Sequence, residues 1–262
     1  MRSGKVAAAF AVLLVVSFAV MNAMPSDTLP ATLLQEAVLA LVAFAAVGFA
    51  IPDALRCCTK SVQQRNIVRF TATALLLVGL VGGAITLLAW LFAGGGTMAC
   101  FASTALPSTA DLMENLLLLL GICLLTGLYE ESFMRALGIE AFERALDTKR
   151  AILASAALFA LLHVGAPDVS AGQLVLLQTA LKFGQALLFG VILGALYVRT
   201  RRLWPCAFIH AGFDVLYMAP NVLLTGTMPE TYASGAVGDT VLLAVSVLVL
   251  SGIVLKIRKE IA

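Results

Sequence analysis

A chain of 262 residues that is 61% hydrophobic and only 12% charged, with a mean hydropathy of +1.01, lies far from soluble domains, in which about a quarter of residues are charged. This composition excludes an ordinary water-soluble domain and specifies a polytopic membrane protein. At a formal net charge of +2, no nucleic-acid partner is expected.

Eight apolar stretches follow one another: Val6 to Met21, Leu33 to Ile51, Phe70 to Phe92, Asn115 to Leu128, Ala151 to Val164, Leu174 to Val198, Leu203 to Leu224 and Val241 to Ile257. Most come near the ~20 residues that a spanning helix needs. The fourth and fifth are short. Either they begin earlier, as Asp111 to Leu137 would allow for the fourth, or they sit inside the bundle behind their neighbours. Helices are expected because lipid offers no partner to a free backbone group, and the period-2 alternation of a membrane barrel is not seen. The expected fold is an all-α bundle of about eight transmembrane helices, with residues 1–262 forming one integral membrane domain.

Basic residues accumulate in cytoplasmic loops. Arg2 and Lys5 precede the first stretch, and Arg56, Lys60, Arg65 and Arg69 follow the second. Arg135, Arg144, Lys149 and Arg150 follow the fourth, Arg199, Arg201 and Arg202 the sixth, and Lys256, Arg258 and Lys259 the eighth. The alternate loops (Pro25 to Pro30, Gly94 to Ala110, Gly165 to Gln173, Thr225 to Asp239) contain none. The pattern predicts cytoplasmic termini in an integral protein of the cell membrane. Lys182 is the exception, and a sixth helix that starts only near Phe183 would keep it out of lipid. The first stretch also resembles a signal peptide, but its apolar run exceeds the usual 7 to 15 residues and Met21-Asn22-Ala23 is a poor cleavage site, so it is read as a retained helix.

Cys57, Cys58, Cys100, Cys123 and Cys206 have no metal-ligand spacing, and no disulfide framework is expected. Gly79-x-x-x-Gly83 and Gly190-x-x-x-Gly194 permit close helix packing.

The chemistry is concentrated in three stretches. At the end of the fourth, Glu131 and Arg135 stand four residues apart with the acid first, the favourable order for an ion pair on a helix. Glu130 points about 100° away and is left as the candidate general base. Phe159 and His163 share one face of the fifth helix; His210 and Asp214 share one face of the seventh. Singly, these are interfacial acids, a hydrogen-bonded packing histidine and a helix-locking His–Asp pair. Jointly, they converge on a hydrated cavity.

The run Glu130-Glu131-x-x-x-Arg135, then Phe159-x-x-x-His163, then His210-x-x-x-Asp214 resembles the CPBP family, the CAAX proteases and bacteriocin-processing enzymes, also called the Abi family. The stretch from Phe189-Gly190 to Leu203-Trp204-Pro205 is similar as well, and the resemblance covers a catalytic core over residues 111–217. It implies a CAAX prenyl protease type 2-like intramembrane endopeptidase in which Glu130 with His163 activates water and His210 with residue 214 stabilises the oxyanion. It also implies no metal, no cofactor, and a membrane-associated protein or peptide as substrate. The family more often has Asn at the last position; Asp214 donates to an oxyanion only when protonated, or else orients His210. Two other readings stay open: a metal-dependent protease built on Glu130, His163, His210 and Asp214, and a non-catalytic scaffold or immunity protein.

The expected geometry puts Glu130 within one bridging water, ~5 to 6 Å, of the His163 ring, with His210 and Asp214 lining the same cavity nearer the cytoplasmic face. If Arg135 and Arg150 mark the membrane boundary, Glu130 lies ~8 Å from the first and His163 ~20 Å from the second, and upright helices would not bring them together.

Overall fold

The structure, a computed structural model, describes residues 2–56, 61–92, 107–164, 172–229 and 233–261. Among these residues there are eight long helices and no strand. They are α1 (Arg2–Ala23), α2 (Leu29–Ala50), α3 (Val62–Phe92), α4 (Thr109–Glu131), α5 (Thr148–Val164), α6 (Gln173–Thr200), α7 (Leu203–Thr225) and α8 (Val237–Ile261). Each corresponds to one apolar stretch of the sequence. Seven are long and apolar enough to cross a membrane, while α5, at 17 residues, falls short by length. The all-helical membrane fold is as the sequence leads one to expect, with α5 as its short member.

Helix ends run past the apolar stretches wherever a capping residue allows it. Thr28 caps α2, with a proline in the first turn. Ser108 and Asp111 form a reciprocal capping box that starts α4 at Thr109, earlier than its hydrophobicity begins. At its other end α4 does not stop: it continues through a π-helical stretch, Ser132–Ile139, and on to Phe142. Every residue of the π stretch is buried, and the Ser155 hydroxyl of α5 donates to the Met134 carbonyl at 2.6 Å.

The glycine pairs bring helices together within the chain. A Cβ on Gly190 would lie 2.9 Å from the Ala156 Cβ, and one on Gly194 would lie 2.9 Å from the Ile152 Cγ2, so α5 and α6 meet nearly backbone to backbone. Gly79 and Gly83 do the same for α3 against the Phe213 and Leu216 carbonyls of α7, and Gly127 for α4 against the Ala207 carbonyl. Cys123 and Cys206 are free and buried. Cys57, Cys58 and Cys100 lie outside the described residues.

Lys182 corrects the expectation of a late-starting sixth helix. Helix α6 is continuous from Gln173, and the half-buried Lys182 donates to the Gln185 Oε1 at 3.2 Å. Its charge acts on Asp214 and Glu130. The cost of a cation within the bundle is therefore offset by nearby acids rather than avoided by unwinding the helix.

Candidate active site

Two rungs set the register of α4 against the α6–α7 turn. Arg201, in the left-handed conformation at φ 49°, donates to the Glu143 carboxylate at 2.7 and 2.9 Å and to Glu140 at 3.1 Å. Nine residues earlier than Glu140 is Glu131, and nine later than Arg201 is His210; the two meet with Nδ1 of the ring 2.8 Å from the Glu131 Oε1. Equal steps of about 14 Å along antiparallel helices carry both partners to one level.

The lower rung is sensitive to pH. Burial disfavours the Glu143 charge, but the hydrogen bonds and charge of Arg201 outweigh it and hold the carboxyl below its ordinary value. A group depressed on folding contributes stability above its unfolded pKa, about 4.3, and that contribution disappears as pH falls through the lower folded value. Glu143→Gln should therefore lower the melting temperature at neutral pH. The gap to wild type should close below about pH 4 in thermal scans, and a gap that persists there would assign the loss to packing.

Helix α4 also resolves the depth mismatch. Arg135 is not at the boundary but fully buried, and the helix passes it to reach the turn at residues 143–147. Measured from that turn, Glu130 is thirteen residues in, ~20 Å, and His163 sixteen, ~24 Å, so they face each other across the α4–α5 hairpin at similar depth. The His163 Nε2 lies 4.0 Å from the Glu130 Oε2, and the His210 Nε2 lies 3.5 Å from the same oxygen. That oxygen is buried and has no hydrogen-bond partner among the described residues. Asp214 approaches the His210 Nε2 at 3.4 Å.

Behind these groups, Arg135 and Glu131 form a fully buried ion pair with Nε to Oε2 at 3.0 Å. The guanidinium lies over the Phe159 ring, 4.4 Å from its centroid. Phe159 packs tilted against His163, ring centroids 4.2 Å apart, and Phe189 packs edge-on at 4.8 Å against His210, which fixes both imidazoles in orientation. All six residues singled out from the sequence thus come together.

A cavity of about 330 Å³ opens beside Glu130 and His163, with Leu14, Phe18 and Met21 of α1 on one side and Phe159 and Leu162 on the other. His210 and Asp214 are not among its lining residues, contrary to expectation; His210 stands behind Glu130, 3.5 Å from its Oε2. Among the described residues no three His, Cys, Asp or Glu side chains are grouped as ligands for a metal ion.

Two further features went unread in the sequence. Glu131 serves His210 as well as Arg135. Glu36 of α2 accepts a hydrogen bond from Thr126, and its charge acts on His210 and Asp214. An acid within an apolar stretch was the signal for Glu36, the same signal that marked Glu130.

No curated protein matches the chain. Residues 112–216, the segment containing all six of these residues, match the family model of the type II CAAX prenyl endopeptidases, Rce1-like. This segment is thus similar to the CAAX proteases, the CPBP family that its motifs resemble.

Proposed function

We propose that this chain is an intramembrane endopeptidase in which Glu130 activates the hydrolytic water. The observation that carries the reading is the Glu130 Oε2, buried without a hydrogen bond among the described residues and flanked by the Nε2 atoms of two histidines at a cavity wall. The His163 Nδ1 lies 2.9 Å from the Phe159 carbonyl, a contact that requires a proton on Nδ1 and leaves Nε2 of the neutral ring as an acceptor. A water between Glu130 and His163 would donate one hydrogen to each and turn its lone pairs toward the cavity.

In the reaction that water attacks the scissile carbonyl while Glu130 takes its proton. The carbonyl π electrons move onto oxygen, and the oxyanion is stabilised by His210. Because its Nδ1–H is committed to Glu131, His210 donates from Nε2 only when both nitrogens are protonated. Collapse of the intermediate expels the amine, which receives the proton from Glu130. The products are one new carboxyl and one new amino terminus.

Glu131, held by Arg135, is the group that orients His210, so Asp214 is not needed for that task. Asp214→Asn should retain or raise turnover, and a fall of about tenfold or more would instead make Asp214 an essential partner of His210.

The cavity mouth supports a substrate class. Leu14, Phe18, Met21 and Leu162 on its rim are exposed, which favours entry of a membrane-associated peptide from lipid. The loop charges favour cytoplasmic termini, with the site on the cytoplasmic side of the bilayer centre. Comparing the N- and C-termini of membrane peptides from cells with wild-type protein and with Glu130→Gln tests the reading. Identical termini would overturn it, and cleavage by purified protein that chelators abolish would assign the reaction to a metal.

A further inference from the structure

A second cavity, of about 740 Å³, lies at the end of the bundle where α3 begins and α6 and α8 end. Its walls come from three helices: Ser61, Gln63, Gln64, Asn66, Ile67 and Phe70 from the start of α3, Arg199 from the last turn of α6, and Lys256 from α8. Its shape is built by specific contacts. Gln64 donates to the Arg199 carbonyl at 3.1 Å, and the Lys256 Nζ lies 4.5 Å from the centroid of the Phe70 ring. Ser61 and Gln64 cap the α3 start reciprocally, at 3.1 and 3.3 Å.

The chemistry of the lining is one-sided. Two cations and four uncharged hydrogen-bonding side chains face the space, and among the described residues no carboxylate lines it. Such a set fits a phosphate-bearing anion. The depth profile narrows the choice, because the polar residues lie at the mouth of α3 whereas Ile67 and Phe70 lie one to two turns farther into the membrane-spanning part. A soluble phosphate would use only the outer half. A glycerophospholipid would use both, its head group on Arg199 and Lys256 and the top of its acyl chains on Ile67 and Phe70. Basic pockets between transmembrane helices at the membrane surface are a known mode of head-group recognition. We propose that this cavity binds the head group of an anionic bilayer phospholipid.

The test is independent of any peptidase activity. Delipidated protein in detergent micelles is titrated with phosphatidylglycerol or with phosphatidylcholine of the same acyl chains, and bound lipid is read by native mass spectrometry. Two cations at roughly fivefold each give an expected preference of about 25-fold for phosphatidylglycerol. The Arg199→Gln/Lys256→Gln pair should abolish it, and the charge-conserving Arg199→Lys/Lys256→Arg pair should keep it. The Arg69→Gln/Lys149→Gln pair removes the same charge from positions outside the cavity and should leave the preference intact. Equal affinity for the two lipids, a preference that survives the first pair, or an equal loss with the control pair would each overturn the proposal. Displacement of phosphatidylglycerol by glycerol 3-phosphate at comparable concentration would overturn it too, by making the ligand a soluble phosphoester.

Discussion

Glu130→Gln is expected to lower peptide cleavage by about 10²- to 10⁴-fold, the usual contribution of a general base, while the protein still expresses and inserts. The substitution keeps the volume of the side chain and its ability to line the cavity with His163. What it removes is the proton acceptor. Because the Glu130 Oε2 has no hydrogen bond to lose among the described residues, the change should leave the melting temperature near that of wild type. Cleavage that survives in Glu130→Gln would eliminate the glutamate-base mechanism, and loss of insertion would make Glu130 structural.

Arg135→Ala acts through the other half of the site. Glu131 would then be a buried carboxylate without its cation, at a typical cost of about 3 to 5 kcal/mol. The cation over Phe159 is lost as well. Yield and melting temperature should fall, by roughly 6 to 20 °C at the 2 to 4 °C per kcal/mol expected for a chain of this size. Activity should fall further, since a released Glu131 no longer fixes His210. Glu131→Gln combined with Arg135→Met separates the two effects. Removing both charges should restore much of the stability but not the cleavage. Recovery of both would reduce the pair to a packing device.

The helix count was readable because hydropathy and loop charge report burial in lipid directly, and these are the constraints a membrane imposes most strongly. That six residues would converge was readable for the same reason: Glu130, Glu131, Arg135, His163, His210 and Asp214 are ionisable groups in apolar surroundings. Their depth was misjudged because Arg135 was counted as a boundary residue, whereas its charge is spent inside on Glu131 and Phe159. The π-helical turn over Ser132–Ile139 leaves no mark in hydropathy, since it depends on partners such as Ser155 that come from another helix. The link from Glu131 to His210 spans 79 positions and appears only once the register of α4 against α7 is known. Lys182 was misplaced because the acids that offset its charge, Asp214 and Glu130, lie across the bundle, while on its own helix it meets the uncharged Gln185.

The rim of Leu14, Phe18, Met21 and Leu162 around the cavity beside Glu130 bears on how turnover must be measured. A substrate arriving through such a mouth is dissolved in two dimensions, so the concentration that saturates the protein is a mole fraction of lipid and not a molarity. Adding inert lipid at constant protein and constant substrate would dilute the reactants on their surface and slow the reaction, although nothing in the aqueous volume had changed. A water-soluble version of the same peptide would escape this dependence and react poorly at any concentration, because it never accumulates at the membrane-facing opening beside Glu130.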